Sequence, residues 1–297
     1  MQLRQATRQQ AKLRVGLSGP SNSGKTYSAL QLASGMADWS KIALIDSEHG
    51  RGEYYAHFGP YQYLRIEPPF SPEKYIEAIK SCEDAGMEVI IIDSVSHEWE
   101  GEGGCLSIVD QHTNKFTSGW KEVTPRHNKF IQKILSSPLH ILTTSRRKQE
   151  YVLETNDRGK QVPTKVGLKE VQRDGFEYEL TLSFDIDISH YARVSKAIEG
   201  IDLGDAPFKI SKEVGLTLIK WANAGDKPIE YKPDPSVIEP DIKRDLRARL
   251  KELGATDDKD GAEILNKLLS TKFKNINLLT DQQAKSALEK LNNDLPF

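Results

Sequence analysis

Gly19-Pro20-Ser21-Asn22-Ser23-Gly24-Lys25-Thr26 is the stretch of this sequence that decides the fold. It fits the pattern G-x-x-x-x-G-K-[ST] at every fixed position. Residues 14–18 before it predict a short buried strand, and residues 27–33 after it predict a helix. Strand, glycine-rich loop and helix in this order favour a loop whose backbone N–H groups point at an anion, with the positive end of the helix behind them. The alternative is a chance match in a turn that contains glycine.

Side-chain chemistry in and beside this loop points to a nucleotide. The Lys25 ammonium can reach the β- and γ-phosphates, and the Thr26 hydroxyl can hold Mg²⁺. A second magnesium ligand is predicted at Asp93, which ends a buried strand downstream; its alternative role is to cap the next turn. The residues predicted to bind the nucleotide are Gly19, Pro20, Ser21, Asn22, Ser23, Gly24, Lys25, Thr26 and Tyr27.

Composition limits the class of protein. The chain has 297 residues, 37% hydrophobic and 28% charged, which suits a soluble domain of good size plus a small one. Its net charge of -2 argues against nucleic-acid binding by bulk charge, so any such site must be a local basic patch.

Cys82 and Cys105 show neither zinc-site spacing nor a disulfide framework, which predicts free thiols. No apolar run has membrane-spanning length and the N-terminus is polar, so we expect a cytoplasmic protein.

Apolar runs alternate with helical patterns along the first two thirds of the chain. Residues 41–46, 89–94 and 139–144 read as buried strands, and residues 72–85 and 124–136 as helices between them. This alternation predicts an α/β fold with a mainly parallel central sheet.

Two long polar segments interrupt this pattern. Residues 96–119 are polar and rich in glycine, and residues 145–175 are basic and predict a long loop or a hairpin. Beyond them, alternating apolar residues predict one long strand over 176–189, a neighbour over 191–198 and a helix over 212–222.

The composition changes after this helix. We predict an ATPase-type core over residues 1–222, a proline-rich linker over 223–240, a small helical domain over 241–292 and a C-terminal tip over 293–297. The helical domain rests on three apolar patterns, over residues 241–253, 260–269 and 281–291.

Glu48 follows the end of the strand over 41–46, where a carboxylate can orient an attacking water. The segment Ile45–His49 is similar to the one that carries the catalytic glutamate in bacterial RecA, and Val89–Ser94 resembles the Walker-B strand of that family. The resemblance covers roughly residues 12–200. It implies a RecA-like P-loop NTPase core that hydrolyses ATP with Mg²⁺, and DNA-binding loops at 96–119 and 145–175.

A closer resemblance is to phage-encoded RecA-like ATPases with an AAA domain, among them the Sak-type single-strand annealing recombinases. This resemblance rests on the segments Asp93–Gly101 and Thr144–Lys148. It implies a homo-oligomer with nucleotide between subunits, where Lys196 of a neighbour would act on the γ-phosphate. The chain departs from RecA where that family has a glutamine sensor, because Thr144 or Ser145 stands there.

Arg146, Arg147, Lys148 and Tyr151 form the best candidate site for single-stranded DNA, since cations neutralise phosphates and a tyrosine can stack on a base. The alternative is a solvated charged loop. Glu98 is a second candidate for the water-activating base.

The last residues, Asp294-Leu295-Pro296-Phe297, resemble the tip of bacterial single-stranded DNA-binding proteins, which implies a partner protein with a basic-rimmed apolar pocket. Two other functions stay open. One is an ATPase that loads or remodels a replication protein without binding DNA, and the other is a small-molecule kinase in which Arg146 and Arg147 belong to a lid.

Overall fold

The computed structural model describes residues 5–155, 161–226, 240–269, 272–276 and 279–294. The chain divides into two compact units, Met1–Pro228 and Ile229–Phe297. Most of the predicted proline-rich linker and the last three residues of the predicted tip lie outside the described residues. Among the described residues, no helix combines the length and the apolar character that crossing a membrane requires.

The first unit is built on one eight-stranded sheet with the order β3-β2-β4-β5-β1-β7-β8, and β6 pairs with β5 off this path. All pairings among β1 to β5, and that of β1 with β7, are parallel, while β5–β6 and β7–β8 are antiparallel. This confirms a mixed α/β fold with a mostly parallel central sheet. The strands are β1 Arg14–Gly19, β2 Ile42–Asp46, β3 Gln62–Arg65, β4 Val89–Asp93, β5 His140–Thr155, β6 Gln161–Glu170, β7 Leu182–Ile186 and β8 Ala192–Lys196.

Helices cover both faces of this sheet, which is why its strands read as continuous apolar runs. Within β4, Ile91 packs in the core under α1 and α6, whereas Ile90 and Ile92 pack in the core under α2 and α5. The helices of this unit are α1 Lys25–Met36, α2 Pro72–Asp84, α3 Ser96–Glu100, α4 Cys105–Asp110, α5 Trp120–Ser136 and α6 Lys212–Ala222, with 3₁₀ turns at Trp39–Lys41, Arg51–Phe58 and Phe176–Glu179 and a π-helical turn at Lys115–Gly119.

Two sequence predictions differ from the structure, and the structure decides between the alternatives of a third. The single strand over 176–189 is wrong, because a 3₁₀ turn comes first and the strand is only Leu182–Ile186; Tyr178 and Ile188, at either end of the alternating pattern, are 77% and 74% exposed. Residues 96–119 form α3, α4 and a π-helical turn rather than an open loop. Residues 147–155 of β5 pair with residues 161–170 of β6 in an antiparallel hairpin, one of the two predicted alternatives.

The described residues of the second unit form three helices, α7 Pro240–Glu252, α8 Asp258–Leu269 and α9 Asp281–Asp294. Their apolar faces meet in a core that includes Leu246, Leu250, Leu265 and Leu291. Each helix shows the 3.6-residue periodicity that a single buried face requires.

Candidate functional site

The predicted phosphate loop joins the end of β1 to the start of α1. Gly24 lies directly before α1 with a φ of 84°, in the left-handed region that favours glycine. A Cβ at Gly19 would overlap the Ile186 carbonyl oxygen and lie 2.6 Å from Ser23 Oγ. Both glycines of the motif are therefore required by local geometry, which is the arrangement that lets backbone N–H groups converge on phosphate.

The Lys25 ammonium lies over this loop. Its Nζ donates to the carbonyl oxygens of Gly19 at 3.0 Å and Pro20 at 2.8 Å. Burial lowers the pKa of Lys25, while the negative charges of Asp93 and Glu48 oppose that shift. A cation held here, between the loop and two carboxylates, suits the β- and γ-phosphates of a nucleotide.

Thr26 and Asp93 meet, as the sequence predicted. The Thr26 hydroxyl donates to Asp93 Oδ2 at 2.6 Å, and the Thr144 hydroxyl donates to Asp93 Oδ1. Thr144 is in reach because β5 lies between β1 and β4, with Thr144 in register with Asp93. Burial raises the pKa of Asp93, and the two hydroxyl hydrogen bonds oppose this rise. A hydroxyl and a carboxylate side by side are oxygen ligands that fit Mg²⁺, whose charge would favour the ionised carboxylate.

Glu48 lies in the same cleft, but it is bound by Arg146. Arg146 Nε donates to Glu48 Oε1 at 2.9 Å and Nη2 donates to Oε2 at 2.5 Å, while the Ser94 hydroxyl donates to Oε1 at 3.2 Å. Burial disfavours the Glu48 carboxylate, yet the hydrogen bonds and charge of Arg146 prevail and hold its pKa below the ordinary value. The predicted base is thus ionised and paired.

Asp46 shapes the loop that carries Glu48. This buried carboxylate accepts hydrogen bonds from the backbone N–H of Glu48 at 2.5 Å and of Gly52 at 2.9 Å, and from the Tyr63 hydroxyl at 2.8 Å. Parallel register places Asp46 beside Asp93. Sequence reasoning used Asp46 only as a strand end and missed this positioning role.

The cleft around these residues has a volume of about 590 Å³, within the range of small-molecule sites. One wall comes from the 3₁₀ turn Arg51–Phe58, which sequence reasoning missed because it carries no periodic pattern. Tyr27 packs edge-on against Phe58 of this turn, with ring centroids 5.3 Å apart, and does not itself line the cleft. The lining residues are Ser21, Asn22, Gly24, Lys25, Thr26, Glu48, Arg51, Tyr54, Tyr55, Asp93, Arg146, Arg147 and Lys148.

The three cations predicted to bind DNA each have a carboxylate partner within the chain. Arg146 pairs with Glu48, Arg147 Nη1 lies 2.8 Å from Asp185 Oδ2, and Lys148 Nζ lies 2.7 Å from Glu100 Oε2. The run therefore does not form one unpaired basic patch. All three cations line the nucleotide cleft; Arg146 contacts Glu48 there, and Lys148 lies farther along β5, where the pairing with β6 begins.

Lys196 lies outside the nucleotide cleft of its own chain. Its Nζ donates to the carbonyl oxygens of Glu177 at 3.0 Å and Tyr178 at 2.7 Å, in a separate cleft. Any action of Lys196 on a nucleotide must therefore be on that of another subunit. The side chain of Tyr151 lies outside the described residues.

Glu98 does not line the nucleotide cleft either. It is fully buried and contacts Cys105 and His127, so the structure separates it from the phosphate loop. Trp99 and Trp120 pack on each other, with ring centroids 5.9 Å apart, and against the core around Cys105. Both tryptophans therefore have a packing role in this unit.

Comparison with known proteins gives one family. No curated protein matches this chain. Residues 11–212, from just before β1 to the start of α6, match the AAA domain family. Because this match spans more than half of the chain and includes the phosphate loop, Glu48 and Asp93, the chain belongs to the AAA domain family, which indicates a nucleotide-binding P-loop ATPase.

Proposed function

We propose that this chain is a RecA-like, phage-encoded ATPase that hydrolyses Mg·ATP and acts on single-stranded DNA in recombination or replication, by annealing or strand exchange. The observation that carries the proposal is the course of β5. This one strand contacts Asp93 through Thr144, places Arg146 in the nucleotide cleft and continues without a break into the β5–β6 hairpin.

The chemistry of hydrolysis follows from the residues of the cleft. Lys25 binds the β- and γ-phosphates, and Thr26 and Asp93 hold Mg²⁺. The bound ion supplies positive charge to the phosphate oxygens. Glu48 takes a proton from the attacking water once its carboxylate is released from Arg146.

Arg146 links the nucleotide to the hairpin in this proposal. An anionic γ-phosphate competes with Glu48 for the guanidinium, because both are acceptors for a planar, bidentate cation. When Arg146 exchanges Glu48 for the γ-phosphate, the Glu48 carboxylate becomes free to act as the base. The same exchange displaces β5 next to the point where its pairing with β6 begins. The binding of ATP is therefore coupled to the binding of DNA, and each ligand changes the affinity of the protein for the other.

DNA contact is assigned to the cations on β5 beyond Arg146 and to Tyr151. Arg147 and Lys148 exchange their carboxylate partners for DNA phosphates, a step that costs little for partly exposed ion pairs. A chain with a net charge of -2 needs such local cations to bind a polyanion.

The assembly in this proposal is a homo-oligomer with the nucleotide between subunits, where Lys196 reaches the γ-phosphate of its neighbour. Asp294-Leu295-Pro296-Phe297 would recruit a further replication protein; the last three of these residues lie outside the described part of the chain.

The test is ATP hydrolysis and single-stranded DNA binding by the purified protein across a salt series. We expect DNA to stimulate hydrolysis. The double variant Arg147→Ala with Lys148→Ala should bind DNA more weakly, with a salt slope flatter by about 1.4, or about 0.7 per lost contact. Hydrolysis without DNA is measured in parallel, because both side chains line the nucleotide cleft, and a loss of hydrolysis would assign them to the nucleotide rather than to DNA. Lys80→Ala with Lys220→Ala, two exposed lysines on α2 and α6, is a control of equal charge.

Other outcomes assign other functions. A wild-type slope in the double variant would move the DNA site to residues 96–119. Hydrolysis without any DNA binding in the presence of ATP and Mg²⁺ would indicate an ATPase that loads or remodels a protein. Phosphoryl transfer to a small molecule in place of water would indicate a kinase.

A further inference from the structure

Three potential metal ligands converge behind the nucleotide cleft. Glu98 Oε1 accepts a hydrogen bond from Cys105 Sγ at 3.0 Å and lies 3.0 Å from His127 Nδ1, and the thiol lies 4.0 Å from the same ring nitrogen. The three residues come from three different elements, α3, α4 and α5. All are at least nine-tenths buried: Glu98 and Cys105 are 0% exposed and His127 is 3% exposed.

The arrangement does not suit nucleophilic catalysis. In a nucleophile–base–acid relay the thiol contacts one imidazole nitrogen and the carboxylate contacts the other. Here Cys105 and Glu98 both face Nδ1 of His127. Three donor atoms pointing at one place are the pattern of a coordination site instead.

We propose that Glu98, Cys105 and His127 bind one Zn²⁺. Tetrahedral zinc with sulfur, nitrogen and oxygen ligands at their usual bond lengths separates the donor atoms by about 3.4–3.6 Å. The separations of 3.0, 3.0 and 4.0 Å lie on both sides of these values, so small side-chain shifts complete the geometry. A thiolate, an imidazole and a carboxylate are ligands that zinc accepts together.

Charge balance supports this ion. Zn²⁺ would displace the thiol proton of Cys105 to solvent, and the resulting thiolate and the Glu98 carboxylate, with a neutral imidazole, carry two negative charges that one Zn²⁺ neutralises within a buried site. Burial of charge without such compensation is costly.

The surroundings supply what a metal site needs beyond its ligands. Gln172 Nε2 donates to Glu98 Oε2 at 3.3 Å and to the Val95 carbonyl at 3.0 Å, which fixes the carboxylate from behind. The ring of His127 packs edge-on against Trp99, with centroids 5.4 Å apart. His127, unlike Glu98 and Cys105, also lines a cleft of about 330 Å³, which is the side from which we expect an ion to enter.

The bound ion would be structural. Its ligands would connect α3 to α4 and α5, and α3 directly follows the strand that ends in Asp93. None of the three ligands lines the nucleotide cleft. We therefore expect zinc to raise the melting temperature. The spacing of the ligands, at 98, 105 and 127, matches no paired cysteine motif, which explains the sequence prediction of a free thiol.

The test uses the full-length chain without a histidine tag, freed of metal by a chelator. Zn²⁺ titrated against a chromophoric chelator should bind with one ion per chain, and Co²⁺ should give the near-ultraviolet band of a cobalt–thiolate bond. Cys105→Ser should lose this band and bind Zn²⁺ at least about tenfold more weakly. Cys82→Ser is the matched control, since Cys82 is the other buried cysteine and lies on α2.

Wild-type protein that takes up no stoichiometric Zn²⁺ would overturn the proposal and leave Glu98 and His127 as a hydrogen-bonded pair. The same follows if Cys105→Ser keeps the wild-type affinity, or if Cys82→Ser loses the cobalt band. Should Cys105→Ser fail to fold, the wild-type cobalt band and protection of Cys105 from alkylation by Zn²⁺ decide the question.

Discussion

Arg146 binds both carboxylate oxygens of Glu48, with Nε–Oε1 at 2.9 Å and Nη2–Oε2 at 2.5 Å. The sequence assigned these residues to different tasks, Glu48 to water and Arg146 to DNA. In the structure they form one ion pair inside the nucleotide cleft. The state of the predicted base therefore depends on a residue of the strand that leads into the hairpin.

Glu48→Gln should abolish most hydrolysis while nucleotide binding persists. The amide keeps the size of the side chain but cannot accept the proton of water, which costs roughly 10²–10⁴-fold in rate. Nucleotide affinity and single-turnover hydrolysis measure the two effects separately. Glu98→Gln is the companion variant, and the base is misassigned if that variant loses hydrolysis while Glu48→Gln keeps it.

Lys25→Ala should lose ATP binding or turnover, because Lys25 is the cation that the loop holds over its own carbonyls at 2.8 and 3.0 Å. Equilibrium binding of a fluorescent ATP analogue and steady-state hydrolysis both report the loss. Lys80→Ala removes the same charge from an exposed site on α2 and should leave both unchanged. Unchanged hydrolysis in Lys25→Ala would contradict the assignment of the phosphate loop.

Much of the fold could be predicted from local pattern. The motif at 19–26 predicted the loop between β1 and α1, and continuous apolar runs predicted strands buried on both faces, as Ile91 and its neighbours show. The error over 176–189 arose because apolar alternation continues at Tyr178 and Ile188, beyond the strand that the sheet accommodates.

Contacts between distant elements could not be predicted. The pairing of Glu48 with Arg146 depends on the register of β2, β4 and β5, which places the ends of these strands at one edge. The cluster of Glu98, Cys105 and His127 depends on how α3, α4 and α5 pack. No sequence period carries such information, because the interacting residues are tens of positions apart.

A mixture of two inactive variants tests whether Lys196 acts on the neighbouring subunit. Lys25→Ala lacks an intact phosphate loop, and Lys196→Ala lacks the donated lysine. In an equal mixture, about a quarter of the interfaces combine both intact residues, so hydrolysis should reappear at about that level. Hydrolysis per wild-type subunit should also rise with protein concentration. No recovery on mixing, with a rate independent of concentration, would remove Lys196 from the mechanism.

Gly35 and Gly215 let α1 and α6 pack at very short distance. A Cβ on Gly35 would overlap the Lys212 carbonyl and lie 2.9 Å from the Gly215 Cα, and a Cβ on Gly215 would overlap the Leu32 carbonyl. Each Gly→Ala variant should lower the free energy of unfolding by about 1–3 kcal/mol, measured by chemical denaturation. Thr217→Ala, at an exposed position on α6, should stay within about 0.5 kcal/mol. Equal stability of all three variants would refute this account of the packing.

His140 should make stability depend on pH. It is 3% exposed and its Nδ1 accepts the Leu13 N–H at 3.1 Å; burial, together with the charges of Lys12 and Arg14, lowers its pKa to about 3. In the unfolded chain the His140 imidazole takes up a proton near pH 6.5, whereas in the folded chain it stays neutral until about pH 3. Between these values the unfolded state carries one more proton, so stability is full above pH 6.5 and falls as the pH decreases, by about 1.4 kcal/mol per pH unit.

His140→Asn removes the titrating group while its side-chain oxygen can still accept the Leu13 N–H. Urea unfolding measures the free energy of unfolding of the wild type and this variant from pH 7 to pH 4. The two free energies should converge as the pH falls, because only the wild type loses the stabilisation that the neutral His140 provides. His57→Asn, which removes an exposed histidine from the 3₁₀ turn Arg51–Phe58, should follow the wild type. Parallel curves for His140→Asn and the wild type would show that His140 takes up its proton equally in the folded and unfolded chain.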